Sequence, residues 1–423
     1  VDPDTRKIEA LERGEVPFHE PYLAELIELA RHNLTFTTEY GRAIPEAQVV
    51  FVAVGTPTGQ GGAPDLQYLR AAAHGVGKHL GPHFTVVVNK STVPIGSGSW
   101  VGSLVRDAVE ARGSSKACFA VASNPEFLRE GTALHDSLYP DRVVIGAGES
   151  KTAEVLYSLY RPMLDQSFLP PAFLPRPDRM GAVPLISTDL ASAELIKYAA
   201  NAFLSLKISY INEIGLLAER VGADISHVAR GMGLDARIGT RFLQAGIGWG
   251  GSCFGKDTAA LVATAAEYGL DMQIVRGARD VNQRQRERVV EKLLAELKIL
   301  KGRTIGILGL AFKPDTDDLR EAPALDVARK LIDRGARVKA HDPVAMEVFR
   351  RNYPDSPVIL CQTAEEVANG SDALLLITEW PEYRDLDWDA LAPTMQAPVM
   401  VDCRHVLDRA RVQRAGFKYL SLA

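Results

Sequence analysis

Continuous apolar runs, rather than alternating ones, punctuate the first third of the chain. Residues 48–54, 84–89 and 119–123 are such runs, rich in valine and alanine. Each ends in a loop of small or turn-forming residues: Gly55-Thr56-Pro57-Thr58, Lys90-Ser91-Thr92-Val93-Pro94-Ile95-Gly96, and Asn124-Pro125-Glu126-Phe127-Leu128-Arg129-Glu130-Gly131. Helical periodicity fills residues 65–80 and 97–112 between them. Strands apolar on both faces, alternating with helices, predict a parallel sheet covered on both sides. Residues 141–146 read as a closing strand. The stretch 161–186 holds six prolines and no periodicity, the pattern of a linker.

From residue 187 to 222 the pattern turns helical, with no internal proline and one internal glycine, Gly215. Ser187 or Thr188 can cap this helix and Gly222 can stop it. Some 30 residues span roughly 45 Å, a length suited to a spine that bridges domains and forms a dimer. Glu194, Lys197 and Asn201 follow one another at spacings of three and four, a polar stripe among Ala, Leu, Ile and Phe. A solvated helix face would explain it; so would function, since a lysine in apolar surroundings is costly unless paired or used. After about Leu300 a second α/β pattern begins, with strands expected at 337–341, 358–361, 373–378 and 399–402. The fold class is therefore α/β. Two doubly wound, Rossmann-like domains (residues 1–186 and 301–423) are joined by a long central helix and a helical dimerisation domain (187–300).

Parallel sheets bind ligands at the carboxyl ends of their strands. Gly55, Thr56, Ser91 and Thr92 are thereby expected to face a ligand, and Glu126 and Glu130 would share a face if their segment were helical. Asp2 stands where a dinucleotide-binding unit carries its ribose-binding acid, at a strand end running into a helix. Residues 337–343 repeat that arrangement. The spacing then predicts a further strand and glycine-rich loop, about 25–30 residues, ahead of Val1; otherwise Asp2 is a helix cap. In the second domain the first loop offers Lys313 and Arg320 to a phosphate, as point charge and fork. Its neighbours Asp315, Asp317 and Asp318 favour ordinary surface for part of it.

The most unusual stretch is Gly246-Ile-Gly-Trp-Gly-Gly-Ser-Cys253-Phe-Gly-Lys256-Asp257. Four glycines in six residues let main-chain N–H groups approach a ligand, and a helix is expected to begin at Asp257. A thiol beside a helix start and a lysine favours its thiolate. A glycine-rich turn around a structural cysteine is the plainer reading. Composition narrows the choice: the net charge of −5 disfavours nucleic acid as a partner. The four cysteines form no CxxC or Cys/His cluster, which fits a reducing compartment such as the cytoplasm and no structural zinc. No apolar run is long enough for a membrane span. A cysteine loop among two nucleotide-type domains implies two ligands meeting at one thiol.

The motifs VGTPT (54–58), KSTVPIG (90–96), NPEFLREG (124–131), AELIKYAANAFL (193–204), RIGTRFLQAGIGWGGSCFGKD (237–257) and GLAFKPDTDDLRE (309–321) together resemble the UDP-glucose/GDP-mannose dehydrogenases. The likeness runs from residue 1 to about 405. It implies NAD-dependent, four-electron oxidation of the C6 hydroxymethyl of a nucleotide sugar. UDP-glucose is the expected substrate, with GDP-mannose or another nucleotide sugar as the sibling possibility. A nucleotide-sugar-binding protein without turnover is the reading from another class. By resemblance, Cys253 forms the thiohemiacetal and thioester, and Lys197 and Asn201 stabilise the oxyanion. Asp257 is the general base, with Lys197 a rival; Glu126 and Thr92 bring in water. Asp2, Lys7, Gly55, Thr56, Ser91, Thr92, Glu130, Lys256 and Arg320 would hold NAD. Glu126, Phe127, Leu128, Lys197, Asn201, Phe242, Leu243, Gly248, Gly250, Phe312, Lys313 and Arg404 would contact the sugar nucleotide. Arg237 would reach it from a neighbouring subunit, so a homodimer or larger assembly is expected.

Overall fold

The computed structural model of the chain describes residues 1–59, 62–113 and 117–422. The three early apolar runs become β1 (Val49–Val52), β2 (Phe84–Asn89) and β3 (Cys118–Ser123), paired in parallel in that order. Val87 of β2 packs beneath helices Gln67–His79 and Ser97–Ala111, in a cluster with Leu69, Val76, Val101 and Val105. Val86 and Val88 point the other way, into a cluster with Ile145 and with Leu156 of helix Ser150–Leu164. Burial on both faces is why the run does not alternate. The expected closing strand, β4 (Val143–Ala147), joins β3 antiparallel, and β5 (Leu185–Thr188) then pairs with β4 in parallel. One reversal therefore interrupts the parallel sheet. An apolar run reads the same in either direction, so periodicity could not reveal it.

The proline-rich stretch is packed chain rather than a free linker. Its start finishes helix Ser150–Leu164, with Pro162 inside, and its end opens β5. Between them Tyr139 Oη donates to the Leu174 carbonyl at 2.8 Å, and Val183 is buried in the core. The long helix runs Leu190–Val221, 32 residues, and Gly222 at φ +75° follows it as expected. Its cap differs from expectation: Ser187 and Thr188 lie in β5, and the Asp189 carboxylate accepts the Ser192 N–H at 2.8 Å. By its contacts the chain divides into two compact units, residues 1–200 with 259–270 and residues 201–258 with 271–423.

In the second unit β6 (Thr304–Leu308), β7 (Arg337–His341), β8 (Ile359–Leu360), β9 (Ala373–Leu376), β10 (Val399–Asp402) and β11 (Lys418–Ser421) form one sheet, all parallel. Its order is β11-β10-β9-β6-β7-β8, so the winding reverses between β6 and β9, the doubly wound pattern. The sequence pattern anticipated the strands up to β10 and missed β11, four residues in the tail.

Asp342 follows β7, at the position of a ribose-binding acid, yet it is wholly buried. Its Oδ2 accepts the N–H groups of Leu310 and Ala311 at 2.7 and 3.0 Å and the Trp380 indole N–H at 3.2 Å. Its Oδ1 accepts those of Val344 and Ala345 at 2.9 and 2.8 Å. The carboxylate thus ties together the chain leaving β6, β7 and β9. Replacing it would leave several buried donors unpaired, at about 1–3 kcal/mol each before relaxation. Asp342→Ala is expected to lower stability by about 3 kcal/mol or more in denaturant titration, and Asp342→Asn by less.

Candidate active site

In the second unit the cysteine loop leads directly into a helix, Phe254–Glu267, which starts three residues earlier than the sequence suggested. Cys253 is therefore the residue immediately before the helix, and its carbonyl accepts the Asp257 N–H at 2.8 Å. The thiol is partly exposed, with Sγ 3.7 Å from Ser252 Oγ. Asp257, only 1% exposed, accepts from Lys256 Nζ at 2.7 Å on one oxygen and from Asn201 Nδ2 at 2.6 Å on the other. A buried carboxylate needs both a counter-ion and hydrogen bonds, and this one has them.

The loop's glycines are explained mainly by the protein itself. A Cβ on Gly248, at φ +92°, would lie 2.1 Å from Asn282 Oδ1; one on Gly250 would lie 2.6 Å from the Glu321 carbonyl oxygen. Gly251 abuts the Phe312 ring in the same way. Asn282 clasps Trp249, accepting its N–H at 2.8 Å and donating to its carbonyl at 3.0 Å. The N–H groups of Gly246, Ile247 and Gly251 go to Asn212 Oδ1 and to the carbonyls of Cys403 and Arg320. The expectation that these amides are bare for a ligand is corrected: they hold the loop that presents the thiol.

Arg404 joins several of the expected sugar-nucleotide contacts. It donates to the carbonyls of Ile377, Gly248 and Phe312 at 2.7, 3.1 and 3.2 Å, with Glu379 as counter-ion at 3.0 Å. Lys313 lies with Nζ 5.4 Å from the centre of the Phe312 ring. Arg320 forks onto Asp318, with Nε–Oδ1 and Nη2–Oδ2 both 2.8 Å. Arg237 is exposed and pairs with Asp235. Phe242 sits at φ +64° with its ring edge-on to Phe254, whereas the Leu243 side chain is buried with Ile211 and Ile225, leaving only its backbone for a ligand.

In the first unit, residues 124–129 are not helical, so Glu126 and Glu130 do not share a helix face. Glu126 Oε2 instead accepts the Leu128 N–H at 2.7 Å, and Oε1 lies 3.2 Å from Lys197 Nζ. Lys197 also sits 5.4 Å from the centre of the Phe127 ring, and Leu128 is exposed. The polar stripe is no solvated face: Glu194, Lys197 and Asn201 are 3%, 3% and 7% exposed. Glu194, absent from the expected site, accepts the N–H groups of Gly96 and Gly98 at 2.6 and 2.8 Å. Burial holds its carboxyl above the usual range despite those bonds.

At the carboxyl edge of the first sheet Thr56 Oγ1 donates to the Thr92 carbonyl at 2.8 Å and Ser91 Oγ to that of Val54 at 2.7 Å. The loops after β1 and β2 are thus fastened to each other. Gly55 is exposed, and a Cβ built on it would meet nothing within 4 Å. Asp2 and Lys7 pair at 3.7 Å. The cap of helix Thr5–Glu12 is Asp4 and not Asp2, which corrects the second reading of that residue. An open strand edge with hydroxyls and an acid–lysine pair fits the ribose and phosphate groups of a dinucleotide. Sequence reasoning also passed over Lys90, Asn124 and Tyr160, although the first two stand inside motifs it singled out.

A doubly wound sheet with an open strand edge, and a thiol at a helix start, are the equipment of a nucleotide-dependent oxidoreductase. The UDP-glucose/GDP-mannose dehydrogenase family matches the chain in three parts: its NAD binding domain at residues 1–164, its central domain at 191–284 and its UDP binding domain at 306–409. The chain is 43% identical to the UDP-glucose 6-dehydrogenase TuaD of Bacillus subtilis (strain 168), across all of this chain and 87% of the relative. It is also 43% identical to a UDP-glucose 6-dehydrogenase of Rhizobium meliloti (strain 1021), across all of this chain and 93% of that one. A solved UDP-glucose dehydrogenase from Pyrobaculum islandicum superposes with a TM-score of 0.87 at 38% identity, covering 99% of this chain and 90% of that one. The chain belongs to the UDP-glucose/GDP-mannose dehydrogenase family, and its cofactor is NAD.

The packing of the cysteine loop can be checked directly. Gly248→Ala adds a methyl at a positive φ and against Asn282, and is expected to destabilise by about 2–4 kcal/mol. Gly231→Ala, on the exposed helix Ile225–Gly233 with open space around it, is expected to be neutral or slightly stabilising in the same thermal melts.

Proposed function

We propose that the chain oxidises the C6 hydroxymethyl group of UDP-glucose to a carboxylate through covalent intermediates on Cys253. The names of its full-length relatives support the substrate. The chemistry is supported above all by Asp257, a buried anion gripped by Lys256 and Asn201 one turn from the thiol. Bound NAD⁺ supplies the hydride acceptor for both oxidations. Asp2 and Lys7 hold its adenosine ribose, and Gly55, Thr56, Ser91, Thr92, Glu130, Lys256 and Arg320 line its site.

The first step removes a proton and a hydride from the C6 alcohol, giving an aldehyde. Asp257, through an ordered water, takes the proton. The Cys253 thiolate then adds to the aldehyde carbon, and the oxygen becomes the oxyanion of a thiohemiacetal. Lys197 and Asn201, four residues apart on the long helix, donate hydrogen bonds to that oxygen; one such donor is typically worth about 10²–10³ in rate. Loss of the second hydride re-forms the carbonyl as a thioester. Water, ordered by Glu126 and Thr92, attacks the acyl carbon; the C–S bond breaks, and carboxylate and thiol are released. Phe127, Leu128, Phe242, Leu243, Gly248, Gly250, Phe312, Lys313 and Arg404 are the contacts proposed for the sugar nucleotide.

Self-association belongs to the same reading. Phe203, Tyr210 and Leu217 recur every seven residues along the long helix and are 61%, 45% and 60% exposed, an apolar stripe that favours a second copy. Arg237 would then complete the partner's sugar site. Among the described residues no helix is long and apolar enough to cross a membrane.

Incubation with NAD⁺ is expected to yield two NADH per UDP-glucose and little with GDP-mannose; reduction with GDP-mannose alone would overturn the substrate. No reduction with either, alongside tight UDP-glucose binding by calorimetry, would favour a binding protein. Cys253→Ser is expected to bind UDP-glucose within about threefold of wild type while losing more than about 10³ of turnover. Phe203→Glu combined with Leu217→Glu is expected to halve the mass read by light scattering.

A further inference from the structure

We propose that Lys90 is a positioning residue for this reaction: its ammonium, held by Asn124, fixes the loop that carries Glu126 and provides a second cation beside the Glu126–Lys197 pair. The inference rests on the function proposed above and adds to it a residue with no role in that scheme.

The geometry lies wholly within the first unit. Lys90 follows β2 directly, and its backbone N–H donates to the Val52 carbonyl at 2.9 Å, so its stem leaves from the sheet itself. Its Nζ donates to Asn124 Oδ1 at 3.0 Å. That oxygen also accepts from Tyr160 Oη at 2.5 Å, while Asn124 Nδ2 donates to the Val144 carbonyl at 2.7 Å. Asn124 is 1% exposed, and these bonds lock its amide between β2, β4 and helix Ser150–Leu164. Only Pro125 separates it from Glu126. A lysine that pins Asn124 therefore also pins the start of the Glu126 loop.

Charge adds a second effect. The charged groups acting on Lys90 are Glu126, which attracts it, and Lys197 on the long helix, which repels it. Tyr160 faces it from helix Ser150–Leu164, but burial pushes that phenol up to about 12, so it stays neutral. Glu126 thus pairs with Lys197 and attracts Lys90 at longer range, one acid facing two bases. Burial, with the repulsion from Lys197, lowers Lys90 to about 8, so Lys90 sheds its charge at mildly alkaline pH. The charge state of Lys90 therefore changes the field at the Glu126–Lys197 pair across this pH range.

A purely structural lysine would not have that consequence, and the pH dependence of kcat separates the two. Wild type is expected to change slope near pH 8. Lys90→Met should lower kcat at least tenfold at pH 7 and change the KM for UDP-glucose by less than about threefold. It should also lose the inflection near pH 8. Lys90→Arg, which keeps its charge throughout, should recover much of kcat and also lack the inflection. Profiles of both variants that superpose on wild type after scaling would overturn the proposal. A readout independent of turnover is NMR of protein carbon-13 labelled at lysine Cε. Lys90 is expected to titrate near pH 8. A Lys90 signal that titrates like a surface lysine would overturn the inference even in a chain that failed to oxidise UDP-glucose. Failure of turnover with the expected titration would instead overturn the function.

Discussion

The chain that leaves the cysteine loop carries the Asp257 carboxylate into a place that water hardly reaches. A carboxylate 1% exposed is tolerable only with partners on both oxygens, and Lys256 and Asn201 are those partners. The requirement propagates along the chain. Lys256 and Asp257 follow one another in the first turn of the helix that begins at Phe254, just after the glycine loop. Asn201 is available only because the long helix continues unbroken through that position. The same constraint leaves Cys253 as the last residue before a helix N-terminus, where backbone N–H groups favour an anion.

The two doubly wound sheets resolve their strand edges in opposite ways. In the first, the loops after β1 and β2 are tied side chain to backbone, while Gly55 leaves open space where a ligand backbone or phosphate can come close. In the second, Asp342 has turned inward. Its carboxylate consumes the N–H groups of Leu310 and Ala311, the donors that a dinucleotide-binding loop would offer to phosphate. One architecture thus carries an edge open to a dinucleotide and an edge sealed against that mode of binding. The first amides of the loop after β6 are therefore spent inside the protein.

Much of this was legible in residue order. Runs buried on both faces announced β1, β2, β3 and the strands through β10, while the polar stripe at 194, 197 and 201 was legible as a stripe that either water or function could explain. What escaped notice had specific causes. The antiparallel β4 was hidden because direction leaves no mark on an apolar run. The cap passed from Ser187 or Thr188 to Asp189 because β5 claims the earlier two residues. The glycines of the cysteine loop looked like room for a ligand because Asn282, Glu321 and Phe312, which fill that room, lie 30 to 75 positions away in the chain. Lys90 and Asn124 sat in plain view inside their motifs, but a hydrogen bond spanning 34 residues has no local signature.

Glu194 suggests why the polar stripe is so deeply buried. Its carboxylate holds the N–H groups of Gly96 and Gly98, at the start of helix Ser97–Ala111, immediately after the loop that contains Ser91 and Thr92. Three residues further along the same helix, Lys197 holds Glu126. One face of one helix therefore grips two strand-end loops of the first sheet, the loop after β2 through an acid and the loop after β3 through a base. A solvated helix could not do this, because water would compete for each bond and the loops could drift independently. Burial makes each ungripped donor expensive, so the two loops and the helix are held to a common register. Two strand-end loops of the first sheet are thereby fixed by the same rigid element, so neither can shift without the helix that holds the other.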